Sequence, residues 1–309
     1  MPGGPPLTRT WTDAMGFKRM SARWAHAALL ALAVASLAVA DTATVQMAYD
    51  LLTRGGTRVA QGSNTWQVAM LRKDQPRAAG AFCSATLIND QWALTAAHCF
   101  HNGEGDCKQN LTRNGFYLLL GSVTLNEQTP AYQVEEVVIR PGYDCKAKYY
   151  DIALVKLAKP VPGLHAIELP DAAQEKSVVA AKPQFHVAGW GARSDLGLSS
   201  RDLIQASVPV MEHAACKHLR PNLPGGTLCA GDQGGGDAKR ACRGDSGGPL
   251  YVLGKDKQAM QLGIVSFGEG CEDTPLPGVY TQVSVHKTWI QDTAKLDCRV
   301  LDSRGYERC

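Results

Sequence analysis

The chain has 309 residues, a hydrophobic fraction of 45% and a formal net charge of +3. These values fit one or two globular domains with a substantial core. So mild a charge balance gives no argument for a nucleic-acid partner or for an anionic membrane surface.

The first forty residues differ from the rest. Lys18, Arg19 and Arg23 precede the apolar run "AALLALAVASLAVA" from Ala27 to Ala40, which closes on Ala38-Val39-Ala40. A basic flank, a short apolar stretch and small residues at the end describe a signal peptide (residues 1–40) cleaved before Asp41, rather than a buried helix or an uncleaved anchor. Fourteen apolar residues fall short of the roughly 20 that span a bilayer. Met15 or Met20 would begin a more ordinary signal, so the first fourteen residues read as an extended start. Export to a secreted or periplasmic location is expected. A short pro-segment or connector, residues 41–52, follows.

From Trp66 onward the chain alternates short β-branched runs with Gly, Pro and Asn: "WQVAML", "FYLLLGS", "YQVEEVVI", "IALVKL", "FHVAGWG", "LYVL", "LGIVSF" and "GVYTQV". That pattern predicts an all-β barrel or sandwich. One helix is expected near the end, over Ser284 to Lys295, with Val285, Thr288, Trp289 and Asp292 at helical spacing and Trp289 as its anchor. The glycine-rich "GDQGGGDAKR" from Gly231 to Arg240 lacks the strand and helix context of a phosphate-binding loop. All ten cysteines follow the proposed cleavage site, an even count that argues for disulfides in an exported chain. None has the spacing of a zinc set.

Three short stretches carry chemistry. "TAAHC" holds His98, "DIALVKL" begins with Asp151, and "ACRGDSGGPLY" centres on Ser246. Singly, each residue could be structural, as His101 is taken to be. Together they supply a nucleophile, a base and an orienting acid. A serine hydroxyl attacks only when an imidazole takes its proton, and the imidazole needs a carboxylate to hold its tautomer. Glycines around Ser246 leave the N–H groups of Gly244 and Ser246 free to face a developing oxyanion, a contact worth about 3 kcal/mol per donor.

On these motifs, with "VAGWG", "TLCAG", "SFG" and "PGVYT" in the same order, the chain resembles the chymotrypsin/trypsin-like serine endopeptidases across about residues 53–296. The resemblance implies an all-β fold of two packed antiparallel six-stranded barrels with a C-terminal helix, the site lying between them. His98 and Asp151 would come from the first barrel and Ser246 from the second. It implies the disulfides Cys83–Cys99, Cys216–Cys229 and Cys242–Cys271. Cys107–Cys145 is assigned by proximity in the family's fold, and Cys298–Cys309, in the tail 297–309, by what remains. A closed loop of about 15 residues contributes roughly 3 kcal/mol in the chain-entropy picture. No cofactor is implied, and Ser122 after Leu120-Gly121, where the family's calcium loop has an acid, implies no calcium site. Implied partners are protein or peptide substrates and protein protease inhibitors, with no nucleic acid, no membrane once the signal is gone, and a monomeric state.

The sequence departs from the family at two places. Family members begin with a basic residue and then Ile-Val-Gly-Gly, whose freed amine pairs with the Asp before the nucleophile, here Asp245. This chain has Leu52, then Thr53-Arg54 before Gly55-Gly56. A cut after Arg58 would leave the amine about 20 Å short at roughly 3.3 Å per extended residue. A cut between Leu52 and Thr53 would bring it within reach of Asp245, whereas a chain starting at Asp41 requires Asp245 to be satisfied another way. The second departure is Arg240, which stands at the floor of the primary specificity pocket, with Ser266, Gly268 and Gly278 on its walls. Arg240 could receive an acidic side chain, or bend toward Asp237, Glu269 or Asp273 and leave a neutral pocket for small or apolar residues. A catalytically inactive homologue that binds proteins, and a plain esterase, are the alternatives to an endopeptidase.

Overall fold

The computed structural model describes residues 56–77, 80–101, 107, 110–193, 197–231, 240–254, 258–271, 274–296, 300–301 and 307–308. The signal peptide, the connector and the Cys298–Cys309 pair lie outside these residues. Contacts divide the chain at Leu51/Leu52, and the fold below is that of the second unit.

Two curled antiparallel sheets carry the chain. In the first, β2 (Gln67–Arg72), β3 (Cys83–Leu87), β4 (Trp92–Thr95), β5 (Phe116–Leu120), β6 (Ala131–Tyr132), β7 (Val134–Ile139) and β8 (Ala153–Leu157) run in the order β6-β5-β2-β3-β4-β8-β7. The second holds β1 (Thr57–Arg58), β9 (Phe185–Gly189), β10 (Ile204–Val208), β11 (Val210–Met211), β12 (Thr227–Ala230), β13 (Pro249–Leu253), β14 (Ala259–Phe267) and β15 (Gly278–Gln282), ordered β1-β10-β9-β13-β14-β15-β12-β11. The expected six strands per sheet become seven and eight because β1, β6 and β11 are two-residue additions. Every expected strand is present. Almost no position in β2, β3 or β14 is exposed, so these runs read as continuous rather than alternating, as strands covered on both faces must.

Each sheet has its own core. Val68, Leu94, Leu118 and Phe116 fill the first; Phe185, Val187, Leu250 and Leu262 fill the second. Trp66 meets Tyr251 edge-on at 4.9 Å, so an aromatic pair links the two sheets. Helices α1 (Ala172–Ala180), α2 (His213–Leu219) and α3 (Val283–Ala294) lie between and after the strands. The last matches the expected helix, but its buried face differs. Val285 is 54% exposed, while Val283, His286, Lys287, Ile290 and Ala294 are buried. Two of those are polar, and Lys287 Nζ donates to the Leu169 carbonyl at 3.1 Å, which is why an apolar stripe did not mark this face. Among the described residues, no helix is long and apolar enough to cross a membrane.

Candidate active site

Strand register brings the first two site residues together. β4 pairs antiparallel with β8 so that Thr95 faces Ala153. The chain leaves β4 into a single 3-10 turn, Ala97–Phe100, which carries His98, and Asp151 lies two residues before β8. The bridge from Cys99 to Cys83 in β3 ties that turn to the neighbouring strand. His98 Nδ1 then stands 2.8 Å from Asp151 Oδ2, and the His98 backbone N–H donates to Oδ1 at 2.8 Å.

Asp151 has no exposed surface. Two groups of the second sheet complete its shell: the Ser266 hydroxyl donates to Oδ2 at 2.5 Å, and the Thr281 hydroxyl donates to the Asp151 carbonyl at 2.9 Å. Burial works against ionisation of this carboxyl. The charge and hydrogen bonds of His98, with the bond from Ser266, outweigh burial and hold it below the usual carboxylate range. The acid is thereby kept ionised beside the imidazole. Ser266, expected on the pocket wall, does line the cavity, but its hydroxyl is turned to Asp151. His101 is structural here, its Nδ1 3.0 Å from the Ala97 carbonyl. His98, Cys83 and Cys99 come close enough to resemble a metal set, but the two sulfurs are bonded to each other.

The loop bearing Ser246 hangs on the first sheet. Ser84 N–H donates to the Ser246 carbonyl at 2.7 Å, and the Ser84 hydroxyl to the Gly244 carbonyl at 3.2 Å. Cys99 Sγ lies 3.8 Å from the Ser246 carbonyl oxygen, which sets the nucleophile's backbone beside the His98 turn. Among the described residues no hydrogen bond yet joins Ser246 Oγ to His98, a bond that in resting sites is often long until substrate arrives. Gly244 (φ 96°) and Gly247 (φ 80°) both occupy left-handed backbone. The N–H groups of Cys242, Asp245, Gly247 and Gly248 are bonded within the loop or to Val265, whereas those of Gly244 and Ser246 take no partner among the described residues. Arg243 turns its carbonyl to the Ala192 N–H at 2.8 Å. In a planar trans peptide the Gly244 N–H must therefore point the opposite way.

Beside Ser246 opens a cavity of about 470 Å³, lined by Arg240, Ser266, Gly268, Gly278 and Tyr280 among others. A Cβ on Gly268 would come within 3.7 Å of the Gly278 Cα, so the two glycines face each other across it. Arg240 donates to the carbonyls of Thr274 at 3.0 Å and Leu276 at 3.3 Å. Of its three expected acidic neighbours, Glu269 lies 3.5 Å from Arg220, while Asp237 and Asp273 lie outside the described residues.

Asp245 is buried, its oxygens accepting the N–H of Gly191 at 2.8 Å and of Cys242 at 2.9 Å. Thr53-Arg54, which would supply the expected amine, lie outside the described residues. The bridges Cys107–Cys145, Cys216–Cys229 and Cys242–Cys271 are all formed. Sequence reasoning missed the Asp151 contact of Thr281 and the position of Arg193 near Asp245; neither has a local signal, because sheet docking creates both.

Two curled β-sheets with a buried acid, a histidine and a glycine-bracketed serine at their junction define a class, the two-barrel serine peptidases. Residues 53–290 match the Trypsin family. Over 264 residues the chain is 35% identical to Serine protease 56 of Homo sapiens, covering 82% of this chain and 40% of that protein. It thus spans less than half the length of that relative. The chain belongs to the trypsin family.

Proposed function

We propose that the chain is an exported serine endopeptidase that cleaves internal peptide bonds through an acyl-enzyme on Ser246. His98 takes the Ser246 proton as the hydroxyl attacks the scissile carbonyl, then delivers it to the leaving amine. Water repeats the cycle on the ester. Asp151 holds the imidazole with Nδ1 protonated and offsets its charge in the tetrahedral states. The negative charge on the carbonyl oxygen meets the N–H groups of Gly244 and Ser246. The observation that carries this reading is the hydrogen-bonded series Ser266–Asp151–His98 beside a loop whose only unclaimed N–H groups include those two. A homologue that merely binds proteins has no need of the whole set.

The cavity beside Ser246 takes the side chain preceding the cleaved bond, and Arg240 favours Asp or Glu there. A guanidinium already fixed by two carbonyls presents its remaining donors in a set direction, suited to a carboxylate. A Lys or Arg substrate would place like charges together in a confined space. Labelling with an active-site-directed fluorophosphonate tests the catalytic reading: the wild-type chain takes the label and Ser246→Ala does not. Equal labelling of both would refute it.

A further inference from the structure

The Asp245 carboxylate is enclosed. A Cβ on Gly189 would fall 2.0 Å from its Oδ1, and one on Gly191 would fall 2.5 Å from its Cγ, so only glycine at both positions leaves it room. Its hydrogen-bond donors, the N–H groups of Gly191 and Cys242, are neutral. A carboxylate so placed is strongly disfavoured unless a cation faces it. Burial pushes its pKa up, and the charge opposing that rise is the guanidinium of Arg193. Burial in turn weakens the hold of Arg193 on its proton, and Asp245 strengthens it.

The geometry fits this pairing. Arg193 follows Gly191 by two residues on the segment that cradles Asp245. Between them Ala192 is pinned at both edges, its N–H on the Arg243 carbonyl and its backbone bridged to Ser199. Arg193 Nε is out of solvent with no hydrogen-bond partner among the described residues, so the head group has been drawn inward for something other than a carbonyl. The chain also lacks the basic residue and apolar pair with which its family frees and inserts an amine, having Leu52 and Thr53-Arg54 instead.

We propose that Arg193 is the built-in counter-ion of Asp245, so that the loop carrying Gly244 and Ser246 is set in the uncut chain without a freed amine. This rests on the endopeptidase reading above. Arg193 is then a positioning residue. It holds Asp245 inward, and Asp245 holds the two flanking N–H groups on the oxyanion.

An amine cation and a guanidinium differ in one measurable way. An α-amine ordinarily titrates near pH 8 and a lysine near 10.4, whereas a guanidinium keeps its charge above 12. Among the described residues, the ionisable groups facing Asp245 are Arg193, from the loop after β9, and Tyr280 of β15, behind which stands Arg240. Burial, with Asp245's charge, keeps the Tyr280 phenol neutral well above its usual range. Neither neighbour therefore introduces a decline between pH 8 and 10.

The test labels the full exported chain with a fluorophosphonate from pH 7 to 11 and reads the N-terminus of the labelled molecules by mass spectrometry. Labelled molecules are expected to retain residues before Thr53 and to label at a steady rate through pH 10. Arg193→Gln should label at least about a hundredfold more slowly, the loss expected when a buried charge is left unpaired. Arg193→Lys should restore labelling at pH 8 and lose it above about pH 10. The proposal is overturned if only molecules cut before Gly56 take the label, or if Arg193→Gln labels at the wild-type rate. Should Arg193→Gln not fold, Arg193→Lys decides: an unchanged profile to pH 11 overturns the proposal. If no form of the wild-type chain labels, the endopeptidase reading itself fails, a result distinct from labelling confined to the cut form.

Discussion

Gly247 is where the two sheets meet at the nucleophile, and a methyl group there should be costly. Its φ is 80°, which disfavours an L-side chain by about 1–2 kcal/mol. A Cβ would also lie 2.1 Å from Thr95 Oγ1 and 2.4 Å from the Ser84 carbonyl oxygen, both in the first sheet. Those atoms are bonded to each other at 2.8 Å and cannot yield without opening that buried bond, worth about 1 kcal/mol. Overpacking in a tight interior adds about 1–3 kcal/mol. Gly247→Ala should therefore lose about 3–6 kcal/mol of stability. Gly163 provides the control, with φ 83° and nothing within 4 Å of a Cβ. Gly163→Ala should lose only the backbone strain, about 1–2 kcal/mol. Denaturant unfolding of both variants measures the difference, and fluorophosphonate titration shows whether Gly247→Ala also displaces Ser246. Equal losses in the two variants would refute the packing argument, since backbone strain alone would then account for both.

Ser246→Ala and His98→Ala should each lower the rate on a peptide substrate by about a thousandfold or more, read as kcat/KM, and a variant that keeps most of its activity would exclude that residue from the chemistry. In a panel of peptides differing only before the cleaved bond, Asp and Glu should be preferred over Lys and Arg, and Arg240→Ala should erase the preference; favoured cleavage after Lys or Arg in the wild-type chain would sink this assignment. Burial pushes the Glu175 carboxyl up against hydrogen bonds from Ser284 and Gln282, and a group raised in the folded state stabilises below its ordinary pKa of about 4.3 and costs stability as pH rises through the folded value. Glu175→Gln should accordingly gain on the wild type in thermal melts between pH 4 and pH 8, and a wild type that gains on the variant over that span would contradict the sign.

The strands were legible because nearly every one is a compact β-branched or aromatic run closed by Gly, Pro or Asn. Helix α1 was not expected, although Asp171 and Gln174 form a capping box that the pattern D-x-x-Q announces; the helix is only nine residues long and nearly polar throughout, so no apolar stripe drew notice. His98, Asp151 and Ser246 were legible as residue types in motifs, and register explains why the first two meet. Ser266 was read as a wall of the cavity because its place beside "FG" says nothing about where its hydroxyl turns. That direction exists only once β14 docks against the loop before β8.

The two arginines near the Ser246 loop illustrate the limit of reading by resemblance, since both stand where the family pattern gives no cation. Tyr280 lies between them, facing Asp245 on one side and Arg240 on the other. Their proposed roles separate by what each touches. Arg240 lines the cavity and meets substrate, so its replacement should change which peptide bond is chosen. Arg193 faces Asp245, so its replacement should change how many molecules hold Gly244 and Ser246 in place, with the order of preferred substrates retained among those that do. A substitution at Arg193 that reordered the substrate panel would mean that its charge reaches past Tyr280 into the cavity, and the division between a specificity residue and a positioning residue would fall.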